Sequence, residues 1–137
     1  MRLAVDANIL VAALLKNATT RQILLEDDLE FFAPEYLVVE IKNALRNPKI
    51  RRRIPLNDKD LSDLSSAILS RIIFIPEKIF LPFIKRSLPL VTHAEDAPYV
   101  ALGLALKIPL WSNDSALKEQ RKAVIYTTSE LIELLQR

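Results

Sequence analysis

The chain has 137 residues, of which 50% are hydrophobic, a formal net charge of +2, one glycine, one histidine and no cysteine. Glycine-rich phosphate loops, thiolate zinc sites, disulfides and sites with several histidines are therefore excluded, and a Ser-His-Asp triad would depend on His93. If the protein is an enzyme, this composition favours carboxylates and a hard metal ion. The length predicts one domain over residues 1–137.

Short apolar runs alternate with helical patterns, which is typical of βα units around a parallel sheet. In the first half we expect a strand at 3–5, a helix at 9–15, a helix from Thr19 or Thr20 to about 28, a strand at 31–32, a helix from Pro34 to 46, and a helix capped by Asn57 and ending near 71. In the second half we expect strands at 72–75, 109–112 and 124–126, and helices at 82–88, at 96–106 and from Thr128 or Ser129 onward.

The strands are continuous apolar runs, which is typical of a sheet covered by helices on both faces. We therefore expect a three-layer α/β/α sandwich with a central, mostly parallel sheet of four to five strands. Trp111 is interpreted as a core or interface residue rather than a base-stacking platform, and Gly103, inside a helix, as a site of close helix packing.

No apolar run approaches the roughly 20 residues that span a bilayer. Residues 2–5 resemble the start of a signal sequence, but Asp6 and Asn8 interrupt the apolar stretch. We predict a cytoplasmic protein without a membrane partner.

Four acids stand at positions where ligands bind in α/β proteins. Asp6 and Asp114 follow the carboxyl ends of predicted strands, Asp96 begins a helix, and Glu40 shares a helix face with apolar residues. Each has a structural alternative: Asp6 as a loop cap, Asp96 as a helix cap, Asp114 in an Asx turn, and Glu40 at the solvated rim of its helix. Convergence of three of them at one sheet edge would favour a shared site.

A basic segment follows the helix that contains Glu40. Five cations within eight residues offer an electrostatic surface for a phosphate backbone, although a solvated loop or a partner-binding segment explains them equally well. They are Arg46, Lys49, Arg51, Arg52 and Arg53.

The acids lie in four short motifs that follow one another in order. These are Val5-Asp6-Ala7-Asn8-Ile9-Leu10, Pro34-Glu35-Tyr36-Leu37-Val38-Val39-Glu40-Ile41, Glu95-Asp96-Ala97-Pro98-Tyr99-Val100-Ala101-Leu102 and Pro109-Leu110-Trp111-Ser112-Asn113-Asp114. Together, on the expected elements, they resemble the PIN domains, a family of metal-dependent ribonucleases, over nearly the whole chain.

The resemblance implies that Asp6, Glu40, Asp96 and Asp114 hold one or two Mg²⁺ or Mn²⁺ ions. It implies an endoribonuclease that cleaves single-stranded RNA through metal-activated water, and supporting roles for Asn8 and Ser112. It further implies a homodimer and, for a toxin of this family, an antitoxin protein as partner.

Two departures from the family pattern concern the second metal. Many relatives have an acid where this chain has His93, and another acid shortly after the position of Asp114, where Ser115-Ala116-Leu117 stand here. His93 is either a supporting residue near the metal or phosphate, or a loop histidine without a special role.

Two other functions remain open at this point. One is a PIN-like module that binds RNA or protein without cleaving it. The other is a phosphatase similar to the haloacid dehalogenases, because Asp6-Ala7-Asn8 resembles their nucleophile motif, although Asn8 stands where the second aspartate would be.

Overall fold

The structure is a computed structural model that describes residues 1–15 and 18–136. The described residues form one sheet of five parallel strands in the order β3-β2-β1-β4-β5. The strands are β1 Arg2–Val5, β2 Glu30–Pro34, β3 Ile72–Ile75, β4 Leu110–Trp111 and β5 Ile125–Tyr126.

Helices connect the strands and cover the sheet. The α-helices are α1 Ala7–Leu15, α2 Ala18–Leu24, α3 Leu37–Arg46, α4 Pro48–Arg51, α5 Asp58–Leu69, α6 Glu77–Ser87, α7 Ala97–Leu106 and α8 Thr128–Leu135. Helix α1 contacts α2, α3 and α5, while α6 packs on α7, which contacts β1 and β2. The predicted three-layer α/β/α architecture is confirmed.

The core lies between these layers. Trp111 is fully buried, its ring centroid lies 5.9 Å from that of Phe31, and its Nε1 donates a hydrogen bond to Thr128 Oγ1 at 3.0 Å. The interpretation of Trp111 as a core residue is therefore correct. Its indole N–H has a partner, as a buried polar group needs. No helix in the described ranges is both long and apolar enough to traverse a lipid bilayer.

The strand order creates a crevice between β1 and β4. The chain builds outward from β1 to β2 and β3, and then returns to the other side of β1 to form β4. Connections from these two central strands leave in opposite directions, and ligands bind in α/β sheets outside the carboxyl ends of such strands. This topology fixes where a site is to be sought.

Several predicted helix starts are wrong. Thr19 and Thr20 lie inside α2 rather than capping it. The helix ends at Leu24 rather than near residue 28, and the Arg71 guanidinium donates hydrogen bonds to the carbonyls of Leu24 and Glu26. Pro34 is the last residue of β2, paired with Ile75, because its fixed φ also suits an extended strand end.

Three further helix boundaries differ from those predicted, two of them because of capping hydrogen bonds. Helix α6 begins at Glu77, five residues before Pro82, which lies inside the helix. Asn47 does not only end α3: its side chain accepts from Lys49 N and starts the unpredicted helix α4. The C-terminal helix is capped by Thr127 rather than Thr128 or Ser129, because Thr127 forms a reciprocal capping box with Glu130.

Gly103 is buried, but the reason is not helix–helix packing. A Cβ at this position would lie 3.1 Å from the carbonyl oxygen of Ile108, in the segment that leads from α7 into β4. The N–H of Ile108 also donates to Gly103 O at 3.0 Å. Glycine therefore lets the chain turn closely against the end of its own helix.

Substitution of Gly103 should show two opposing effects. In Gly103→Ala, the gain in helix propensity of about 1 kcal/mol should largely offset the energetic cost of the close contact with Ile108 O. Gly103→Val adds two further methyl groups at this position and should lower the free energy of unfolding by about 1–3 kcal/mol. Urea unfolding measures both, with Ala105→Val on the same helix as the control for β-branching. Equal losses in the two valine variants would contradict the contact argument.

Candidate active site

An open pocket of about 320 Å³ lies at the carboxyl ends of β1 and β4, where the topology locates the crevice. The residues that line it come from the two segments that follow these strands. They are Asp6, Asn8, Ile9, Ser112, Asn113 and Asp114.

Asp6 follows β1 directly and is only 8% exposed. Its Oδ1 accepts a hydrogen bond from the N–H of Ile9 at 3.1 Å, so the residue also caps α1, and the Ser112 hydroxyl donates to it. Burial raises the pKa of Asp6 from 3.8 to about 6, and the charge of Asp96 adds to the rise, while the hydrogen bonds oppose it. Asp6 thus caps the start of α1, as its structural alternative predicted, and its carboxylate also lines the pocket.

Glu40, on the first turn of α3, is half-buried rather than at a solvated rim. The buried hydroxyl of Tyr99, on α7, donates a hydrogen bond to its Oε1. Burial raises the pKa of Glu40 and the charge of Asp96 raises it further, while the Tyr99 hydrogen bond works against both. Burial and the Glu40 contact in turn raise the pKa of Tyr99, so its hydroxyl remains a donor.

Asp96 connects the acids electrostatically. It lies directly before α7, yet its side chain makes no capping hydrogen bond, which is contrary to the helix-cap alternative. Burial raises its pKa, and the negative charges of Asp114 and Glu95 raise it further, while His93 lowers it. Asp96 also raises the pKa values of Asp6 and Glu40, so its charge acts on each of the other three predicted acids.

Asp114 is fixed by the loop after β4. Its Oδ1 accepts from Ala116 N at 3.0 Å, the Asx-turn arrangement proposed as its alternative, and its own N–H donates to Ser112 Oγ at 3.2 Å. Fully buried Ser112 therefore links Asp114 to Asp6. Asn113 lies between Ser112 and Asp114 in the sequence. Its Oδ1 accepts a hydrogen bond from the N–H of Thr128 at 2.8 Å, which attaches this loop to α8.

The donor set suits a hard divalent cation. Four carboxylates supply oxygen ligands, and in the described part of the chain none of the four forms an ion pair with a lysine or arginine. In the same residues, no three acidic or histidine side chains stand close enough to hold one ion without rearrangement. The chemistry of the site fits Mg²⁺ or Mn²⁺, and the carboxylates would have to draw together to bind it.

The other predicted residues lie around this centre or apart from it. Asn8 is exposed at the pocket, and exposed His93 is close enough to influence Asp96. Arg51 is engaged in the fold, because its guanidinium donates to Leu56 O at 3.0 Å and pairs with Asp58 at 2.8 Å. Among the remaining basic residues, Arg52 donates to Pro48 O, and the rest are exposed: Arg46, Lys49 and Arg53.

A family model for the PIN domain matches residues 4–132, which include all four acids. The chain belongs to the PIN domain family. None of the curated proteins matches this PIN domain significantly.

Two solved structures share its fold. PAE2754 from Pyrobaculum aerophilum aligns with a TM-score of 0.67 at 18% sequence identity, over 100% of this chain and 91% of that one. VapBC2 from Rickettsia felis, solved bound to a DNA fragment from their promoter, aligns with a TM-score of 0.67 at 14% identity, over 93% of this chain and 98% of that one. The five-stranded architecture of this PIN domain is thus shared with distant proteins.

Two contacts at the site of this PIN domain were not predicted. The hydrogen bond from Tyr99 to Glu40 joins α7 to α3 across 59 positions of the sequence, so no local pattern indicates it. The link from Asn113 to Thr128 joins two segments 15 residues apart and has no local sequence pattern.

Proposed function

We propose that this PIN domain is a Mg²⁺- or Mn²⁺-dependent endoribonuclease that cleaves single-stranded RNA in the cytoplasm. One observation carries the proposal: the charge of Asp96 acts on the three other carboxylates, which come from separate segments, and among the described residues none of the four forms an ion pair with a lysine or arginine. Uncompensated, partly buried negative charge is costly in a folded protein unless a cation binds there. PIN domains are typically nucleases and generally use divalent metals, which agrees with this interpretation.

In this proposal Asp6, Glu40, Asp96 and Asp114 would hold the cation. When bound, Mg²⁺ or Mn²⁺ would supply a Lewis acid for activating water toward the phosphodiester and would offset charge on the phosphate. Ser112 orients Asp6 and, through the N–H of Asp114, the following loop. Attack by water rather than by the 2′-hydroxyl leaves 5′-phosphate and 3′-hydroxyl ends.

The test is cleavage of single-stranded RNA by purified protein with Mn²⁺, with EDTA, and with Mn²⁺ added to the Asp6→Asn variant. We expect cleavage only in the first case, with 5′-phosphate ends identified by labelling. RNA that binds but stays intact in all three would favour the non-catalytic module, and a phosphorylated Asp6 trapped with a phosphate ester would favour the phosphatase.

The exposed basic residues should contribute to RNA affinity. Replacing Lys49, Arg52 and Arg53 by glutamine should weaken RNA binding several-fold at low salt and flatten its salt dependence, because fewer counterions are then released. Arg51 is kept, since its loss would disturb the turn that it ties to Asp58.

Binding is measured by fluorescence anisotropy over a salt series. The control replaces Lys107 and Lys122, which line a pocket near the opposite, amino-terminal ends of β4 and β5. Equal effects of the two sets would mean that the basic segment has no specific role.

We also propose an antitoxin protein as a partner and a homodimer as the solution state. The likeness to VapBC2, a toxin–antitoxin pair, supports the first idea, as does an apolar groove of about 340 Å³ between α3 and α5. A small neighbouring gene whose product binds this chain and inhibits cleavage would identify the partner. Sedimentation of the purified chain tests the dimer.

A further inference from the structure

A second pocket, of about 360 Å³, opens at the same edge of the sheet, and the proposed cleavage does not use it. Its volume is within the range of small-ligand sites. It lies beyond the carboxyl ends of β2 and β3, with the start of α7 on its other side. Among the described residues, those that line it are Pro34, Glu35, Tyr36, Glu77, Phe80 and Pro98.

This pocket shares structural elements with the acid cluster. The carbonyl of Tyr36 accepts the hydrogen bond from the N–H of Glu40 at 3.1 Å. Pro98 lies between Asp96 and Tyr99 at the start of α7. The starts of α3 and α7 therefore contribute to both sites, so a polymer cleaved at the acids has its neighbouring nucleotides within reach of the pocket.

The lining combines flat apolar surfaces with hydrogen-bond acceptors. Tyr36 is 61% exposed, whereas Phe80 is buried and follows Glu77 by one helical turn. Both glutamates are exposed, and none of the lysines and arginines that the structure describes lines the pocket. Two carboxylates repel a phosphate, but they accept hydrogen bonds from N–H groups.

We propose that this pocket binds one base of the RNA substrate and prefers guanine to uracil, an inference that rests on the proposed ribonuclease function. Single-stranded RNA is read by stacking unpaired bases on aromatic side chains and by hydrogen bonds to their edges. Guanine presents adjacent N1–H and N2–H donors, which match carboxylate acceptors. The single N–H of uracil lies between two carbonyl oxygens, which the glutamates repel.

The experiment measures binding to three short RNAs: one of uridine only, and two with a single central guanosine or inosine. Fluorescence anisotropy with the wild-type protein in EDTA excludes cleavage. We expect about tenfold tighter binding of the guanosine RNA than of the uridine RNA, with inosine between them, because it keeps N1–H and lacks the N2 amino group.

Two variants locate the preference. Tyr36→Ala should weaken binding of the guanosine RNA about tenfold, within what one base–aromatic stack supplies. Glu77→Gln should reduce the ratio of guanosine to uridine affinity without weakening uridine binding, since it removes a negative charge. Exposed Val39→Ala on α3 and Glu133→Gln on α8, neither of which lines the pocket, serve as matched controls.

The outcomes separate this inference from the function on which it rests. The proposal of a base-binding pocket would be wrong if the three RNAs bound with equal affinity, or if Tyr36→Ala and Glu77→Gln left the ratio of guanosine to uridine affinity unchanged. Mn²⁺-dependent cleavage would not be affected by either result. Absence of RNA binding together with absence of cleavage would instead overturn both.

Discussion

Replacement of Asp96 by asparagine should reduce Mn²⁺-dependent RNA cleavage more than about 100-fold and leave the metal-free protein at least as stable as the wild type. Loss of residues that merely orient metal ligands costs about 10–100-fold, so loss of a direct ligand should cost more. Stability should not fall, because Asp96 makes no helix-capping hydrogen bond and repels Asp114, Asp6 and Glu40.

Both properties need measurement on one preparation: initial cleavage rates with Mn²⁺, and urea unfolding in EDTA. Glu95→Gln is the matched control, because it removes a neighbouring exposed negative charge that is outside the proposed ligand set. It should keep cleavage within a few-fold of the wild type. A clear loss of metal-free stability in Asp96→Asn would favour a structural role for this carboxylate. An equal loss of cleavage in Glu95→Gln would contradict the assignment of Asp96, rather than Glu95, as a metal ligand.

The second large effect concerns pH and Asp6. Its pKa is about 6 in the folded chain, compared with 3.8 ordinarily, and the difference of about two units corresponds to about 3 kcal/mol. Between these two values the unfolded chain has released the proton while the folded chain keeps it. The contribution of Asp6 to stability is therefore lost as pH rises from about 4 to about 6 and stays lost above that.

We expect metal-free Asp6→Asn to be more stable than the wild type by up to about 3 kcal/mol at pH 7.5, with a difference that shrinks toward pH 4.5. Asparagine can still accept the hydrogen bond from Ile9 and does not ionise. Urea unfolding in EDTA at several pH values gives the difference, and other titrating groups largely cancel because both proteins contain them. A difference that does not vary with pH would contradict the raised pKa.

Strands and their ends are the features that sequence predicts best here. The apolar run Ile72–Ile75 predicts a strand at its observed bounds, although β3 lies at the edge of the sheet and only Ile72 is buried. Asp6 and Asp114 follow strands that the topology makes neighbours. To predict that the acids gather at one edge of the sheet, it is enough to know that they follow the carboxyl ends of parallel strands. Their mutual geometry depends on tertiary contacts such as the hydrogen bond from Tyr99 to Glu40.

Helix boundaries are predicted less well, because several local signals compete. Pro34 suits both a strand end and a first helical turn, and its pairing with Ile75, a tertiary contact, decides between them. Among three adjacent hydroxyl residues, the reciprocal bond from Glu130 selects Thr127 as the cap. The Tyr99 contact with Glu40 joins residues 59 positions apart, so no local pattern reveals it directly.

The position of β4 beside β1 has a consequence for synthesis of the protein. The crevice needs both Asp6 and Asp114, which are far apart in the sequence and are joined only when β4 pairs with β1. A nascent chain thus lacks the assembled carboxylate cluster until the segment that contains Asp114 has left the ribosome. In the proposed function, this order of synthesis delays RNA cleavage until that segment has emerged from the RNA-rich machine that makes it.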